Sequence, residues 1–156
     1  AARAHGADHV IDLQTGGATL RDQVKALTAG RGADVIYDPV GGDLAEPAIR
    51  SIAWRGRYLV IGFAQGGIPS VPLNLPLLKG ASIVGAYWGE FVKREPHAFA
   101  RSLDELAGWY RDGRIDPVID CVLPMRKLPE AFARMASRQV LGKIVLVNEA
   151  GAAAGR

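Results

Sequence analysis

Short apolar runs rich in strand-forming residues alternate along this chain with stretches whose apolar residues recur every three or four positions. That alternation restricts the fold more than any other feature. Val35-Ile36-Tyr37 and Tyr58-Leu59-Val60-Ile61 are compact apolar runs, each entered through Gly, Arg or Asp and followed within two residues by Gly or Pro. Apolar residues at consecutive positions fit a parallel strand that helices bury on both faces. His9-Val10-Ile11 and the run from Ile83 to Trp88 are the strands expected before and after them.

Between these runs the period is helical. Thr19 with Asp22 three residues later resembles a capping box, Leu20, Val24 and Leu27 then share one face, and Gly30 ends the segment. Asp43 is expected to cap a second helix, with Glu46 at its third position, Pro47 in its first turn, and Leu44, Ala48 and Ile52 as its apolar stripe. Phe99, Leu103, Leu106 and Tyr110 stripe a third helix running to about Gly113. Leu128, Phe132 and Met135 stripe a fourth, with Pro129 at its start. A last apolar run, Ile144 to Val147, closes the pattern. The fold class expected is therefore α/β, a doubly wound parallel sheet. From Asp116 the pattern changes: Pro117 and Pro124 flank an extended stretch, followed by one helix and one strand, as for a segment in another layer.

Composition narrows the function classes. The lone cysteine, Cys121, excludes a disulfide framework and any multi-cysteine zinc or iron–sulfur site, and fits a reducing compartment, with cytoplasm as the default. Lys and Arg number 19 against 16 Asp and Glu, a small excess spread along the chain. The adjacent basic residues Lys93-Arg94 and Arg126-Lys127 are no more than pairs, so no nucleic-acid footprint is expected. No apolar run approaches the roughly 18 residues of a membrane span, and residues 1–6 lack the pattern of a signal peptide.

In a doubly wound sheet, ligands lie at the carboxyl ends of the strands. There the sequence reads Asp38-Pro39-Val40-Gly41-Gly42 after one strand and Gly62-Phe63-Ala64-Gln65-Gly66-Gly67 after the next. Glycine at such a place lets the backbone approach a planar or phosphorylated ligand. A single glycine there is most simply a tight turn, and two such loops at successive strand ends favour a nucleotide crevice. The sequence holds no Gly-x-Gly-x-x-Gly, no Walker lysine loop and no acidic residue placed for a ribose, so the phosphate grip is not in it. No Gly-x-Ser-x-Gly elbow is present, and His5, His9, His97 and Cys121 share no ligand spacing; no metal and no catalytic side chain is assigned.

Taken in order, Gly6-Ala7-Asp8-His9-Val10-Ile11-Asp12, Gly32 to Gly42, Gly56 to Ala64 and Gly142 to Leu146 resemble the medium-chain dehydrogenase/reductase superfamily, alcohol dehydrogenase-like in fold. The likeness is to its zinc-free quinone oxidoreductase branch, which transfers hydride from NADPH to quinones or activated alkenes. The resemblance implies the carboxy-terminal portion of such an enzyme: residues 1–115 finish a partial Rossmann cofactor domain, 116–148 return to the substrate domain, and 149–156 form a flexible tail. It further implies that the glycine-rich phosphate loop lies upstream of Ala1, that the chain is a piece of a longer polypeptide, and that this segment alone is inactive.

By position, the resemblance implies cofactor contacts at Gly41 and Gly42 near the ribose, at Gly62, Phe63 and Ala64, at Gly85, Ala86 and Tyr87 near the nicotinamide amide, and at Arg138 toward a phosphate. Leu13 departs from the Tyr or His of many relatives. Tyr87, Trp88 and Phe91 either wall the pocket or fill the core. The cofactor implied is NADP(H), the substrate a small quinone or enone, and the assembly a homodimer joined through strand 81–89, whose uncharged edge needs cover. The alternatives are a zinc-dependent alcohol dehydrogenase relative and a non-enzymatic dimerisation or regulatory module of the same fold.

Overall fold

The computed structural model describes residues 2–12, 19–137 and 139–148. It divides into two compact units, Ala2–Glu95 and a second beginning at Pro96.

The first unit holds helix α1 (Leu20–Leu27), strand β1 (Ala33–Asp38), helix α2 (Ala45–Arg50), strand β2 (Ile52–Val60), helix α3 (Asn74–Lys79), strand β3 (Ser82–Gly85) and helix α4 (Trp88–Arg94). Thr19 caps α1: its hydroxyl oxygen accepts from the Asp22 amide at 3.2 Å and the hydroxyl donates to the Asp22 carboxylate at 2.7 Å. The three strands form one parallel sheet in the order β1-β2-β3, with Tyr58 paired to Ile36 on one side and Ile83 on the other. β2 enters through a bulge, advancing from Ile52 to Arg57 while β1 advances from Ala33 to Val35. Arg55 takes φ +60° there, and a Cβ on Gly56 would lie 2.6 Å from the Ile52 side chain. Ala45 and Ile49 of α2, Ile52 and Tyr58 of β2, and Leu75 of α3 form the buried core.

Several expectations are corrected. Residues 9–12 carry no strand, and the described sheet has no neighbour on the far side of β1. An apolar run becomes a strand only where a partner takes its amides and carbonyls. Asp43 does not cap α2. It sits inside a 3₁₀ turn, Gly42–Leu44, and the helix begins at Ala45 with no side-chain cap. The buried face of α2 is Ala45 and Ile49, and Ile52 belongs to β2. β3 stops at Gly85, short of the expected Trp88, because its ladder with β2 ends at the Val60–Gly85 pair. Trp88 instead opens α4, whose Glu90 pairs with Lys93 and Arg94 one turn on.

The second unit contains helix α5 (Pro96–Arg111), strand β4 (Ile119–Pro124), helix α6 (Leu128–Ala136) and strand β5 (Lys143–Val147). β4 and β5 pair in parallel with α6 as the crossover, a βαβ unit. Ala131 of α6 is buried, and Arg134 ties the helix to β4 through Asp120 at 2.7 Å and the Cys121 sulfur at 3.1 Å. Gly142, at φ +100°, precedes β5 where a Cβ would lie 2.3 Å from the Val118 carbonyl oxygen.

Candidate functional site

Three loops leave the carboxyl ends of β1, β2 and β3 side by side, and backbone hydrogen bonds continue past the strands to join them. The Asp38 carbonyl oxygen accepts from the Ile61 amide at 3.0 Å and the Gly62 amide at 3.4 Å. Ala64 N donates to the Pro39 carbonyl at 3.1 Å, Gln65 N to that of Val40 at 3.0 Å, and Ala86 N to that of Val60 at 3.0 Å. A side-chain bridge adds to these, Gln65 Oε1 accepting from the Asp43 amide and Gln65 Nε2 donating to its carboxylate, both at 3.2 Å.

The turn after β1 is held by its own aspartate. Asp38 Oδ1 accepts from the Val40 and Gly41 amides at 2.8 and 2.9 Å, and Asp38 Oδ2 accepts from the Tyr58 hydroxyl. Burial pushes the Asp38 carboxyl up, but the hydrogen bonds from Tyr58, Gly41 and Val40 outweigh it and leave its pKa below the ordinary value. The Tyr58 phenol is raised, first by burial and then by its bond to Asp38 and that carboxylate's charge. Gly41 and Gly42 both take positive φ, +64° and +60°, and a Cβ on Gly41 would lie 2.9 Å from Phe63 Cδ1. Glycine is required here by conformation and by the closeness of the second loop.

Two clefts open at the ends of β2 and β3. One, about 460 Å³, is lined by Val60 to Phe63 and Gly85 to Gly89. The other, about 550 Å³, is walled by Tyr37, Ile61, Tyr87, Trp88 and Phe91, with Gly85 and Ala86 at its base. Gly85 and Ala86 line both. A Cβ on Gly85 would meet nothing within 4 Å, so this backbone is open to an incoming group. Tyr87 and Trp88 are 73% and 56% exposed and so wall the cleft instead of filling the core, with the Trp88 and Phe91 ring centroids 5.4 Å apart.

The structure thus gathers Gly41, Gly42, Gly62, Phe63, Ala64, Gly85, Ala86 and Tyr87 at one end of the sheet. Arg138 and Leu13 lie outside the described residues. Asp38 and Gln65 belong to the two loops read from the sequence, but their bridging roles, and the part of Tyr58, were not foreseen. The Asp-Pro-Val-Gly run carries an Asx-turn signal that points to Asp38, whereas Tyr58 and Gln65 are 20 and 22 residues from their partners and leave no local trace.

A protein-family model described as zinc-binding dehydrogenase matches residues 5–146. The chain belongs to that family. Its place in the medium-chain dehydrogenase/reductase superfamily is the quinone oxidoreductase branch, carboxy-terminal portion. It is 38% identical over 141 residues to mouse quinone oxidoreductase-like protein 2, covering 90% of this chain and 40% of that protein. An NAD-dependent alcohol dehydrogenase of solved structure is 28% identical at a TM-score of 0.75, over 93% of this chain and 39% of that one. A mycobacterial protein solved in complex with NADPH shares the fold at a TM-score of 0.80 and 24% identity, over 93% of this chain and 45% of that one. This member of the zinc-binding dehydrogenase family therefore spans about two fifths of the length of such relatives. Among its described residues no group of three or more His, Cys, Asp or Glu is placed to hold a metal ion. No described helix is long and apolar enough to cross a membrane.

Proposed function

We propose that this chain supplies the nicotinamide-side wall of an NADPH-dependent oxidoreductase that reduces a quinone or an activated alkene. The observation that carries the reading is Gly85, whose backbone stands open to two clefts beside aromatic walls. A cradle that a Cβ would fill is what a flat ring lying against backbone needs. Gly85, Ala86 and Tyr87 would hold the ring's amide side, Gly41 and Gly42 the ribose, and Gly62, Phe63 and Ala64 the stretch between. When bound, the dihydronicotinamide supplies the hydride; the protein's part is to orient it and keep water out. Tyr37, Tyr87, Trp88 and Phe91 give the second cleft the surface for a planar acceptor. The NADPH-bound relative supports the cofactor class, and the mouse relative's name supports the acceptor.

The phosphate-gripping glycine motif is missing from these residues, and on this reading the segment by itself is inactive. The free Cys121 thiol fits a cytoplasmic setting. β3 is the edge of its sheet with Ile83 and Val84 exposed, and we place a homodimer contact there. Val84→Pro should then give monomers by light scattering, and an unchanged dimer would count against the contact. A second reading, an NAD-dependent alcohol dehydrogenase, is favoured by the likeness to such an enzyme. The full-length protein decides between them: consumption of NADPH with a benzoquinone supports the first, and NADH formation from NAD and an alcohol supports the second. Absence of nucleotide binding leaves the non-enzymatic module.

A further inference from the structure

Asp38 and Tyr58 are not among the residues that line the two clefts, yet five hydrogen bonds converge on Asp38 just behind them. Its main-chain oxygen accepts from Ile61 and Gly62 of the second loop, one carboxylate oxygen from Val40 and Gly41 of the first, and the other from Tyr58. Tyr58 is 4% exposed and lies in the central strand, paired on both sides, so its hydroxyl is a fixed point.

An Asx-turn alone would need one oxygen and would tie Asp38 to its own loop. Here the second oxygen reaches across to β2, so the same carboxylate fixes the first turn, the strand beneath it and, through the main chain, the second turn. An ionised acceptor makes such bonds shorter and stronger than neutral ones. The coupling matters because Gly41 and Phe63 approach so closely that a Cβ on Gly41 would lie 2.9 Å from the ring. The relative position of the two turns is therefore sensitive to small displacements of either loop. The Asp38 carboxylate is held low and the Tyr58 phenol high, so the pair keeps one protonation state across the neutral range.

We propose that Asp38 and Tyr58 are paired positioning residues that set the spacing of the Gly41-Gly42 and Gly62-Phe63 turns and thereby the affinity for the nucleotide. This rests on the cofactor reading above.

The test is a fluorescence titration of the full-length protein with NADPH and NADH, in wild type, Tyr58→Phe, Asp38→Ala and the double variant. Tyr58→Phe is expected to raise the cofactor Kd about three- to tenfold, and Asp38→Ala about tenfold or more. The double variant should bind no more weakly than Asp38→Ala, since both changes break one unit. At saturating cofactor kcat should stay within about twofold, which separates positioning from chemistry. Amide exchange at Val40 and Gly41 should quicken in both single variants. A lower melting temperature with an unchanged Kd would overturn the inference by making the pair structural only. If Asp38→Ala does not fold, Tyr58→Phe, which keeps its ring in the core, decides alone by the same Kd and exchange readouts. Failure of the wild type to bind either nucleotide would sink the cofactor reading and the inference with it; wild-type binding with unaffected variants would sink only the pair.

Discussion

Gly85→Val should move stability and cofactor affinity in opposite directions. Gly85 is the last residue of β3, pairs with Val60, and lines both clefts. Its φ is not positive, and a Cβ built on it meets nothing within 4 Å, so valine is accommodated without strain. Removing a glycine where the backbone is compatible stabilises by about 0.4–1 kcal/mol through the unfolded chain. A β-branched residue in a strand adds a few tenths more. The urea midpoint should therefore stay level or rise. The same isopropyl group projects into the space where a ring would lie against backbone. Crowding of that kind costs about 1–3 kcal/mol, or roughly 5- to 150-fold in Kd. Urea denaturation followed by tryptophan fluorescence and an NADPH titration, both on the full-length protein, read the two effects separately. A Kd within about twofold of wild type, with the variant folded, would refute the argument that this backbone faces the cofactor.

Two further outcomes follow from the packing and the Asp38–Tyr58 pair. Ile49→Ala removes a side chain only 1% exposed from the centre of the core and should cost about 2–4 kcal/mol by urea denaturation; a loss below about 1 kcal/mol would mean the core is elsewhere. Asp38 titrates below its unfolded value of about 3.9, so its stabilisation is complete above that pH and is lost as pH falls through the lower native value. Tyr58 titrates above its unfolded value of about 10, so its contribution holds below that pH and declines as pH rises beyond it. Tyr58→Phe should flatten the alkaline limb of a stability–pH curve, and a variant curve parallel to wild type would contradict the assignment.

Elements built from local signals were legible in the sequence, and those that depend on distant partners were not. Thr19 with Asp22 marked the start of α1 because cap and amide are three residues apart, and Val35 to Tyr37 marked β1 by strand-forming composition, but the cover expected on both faces is not there: Val35 and Tyr37 are 46% and 66% exposed. His9-Val10-Ile11 has an equally strand-like composition, but without a neighbouring strand that composition forms no ladder. Asp43 suits an N-cap by residue type, yet its carboxylate is engaged by Gln65, 22 residues away, and the positive φ of Gly41 and Gly42 starts a 3₁₀ turn first. α3 left no readable signal. Pro76 sits inside it, and its Leu77 and Leu78 are exposed, so it has no one-sided stripe of the kind that betrays a helix. At the candidate site Gly41, Gly42 and Gly62 could be placed because loops at strand ends are predictable, whereas Gly85 was named only through the family resemblance. The Asp38–Tyr58 contact could not be placed, because it joins the end of one strand to the middle of another.

On the proposed function, the loops after β1, β2 and β3 together face a nicotinamide nucleotide. Hydrogen–deuterium exchange on the full-length protein, with and without NADPH, measures this directly. Protection concentrated in residues 40–42, 62–65 and 85–87 is the expected result. Saturating nucleotide that leaves these three segments exchanging as in the free protein would contradict it.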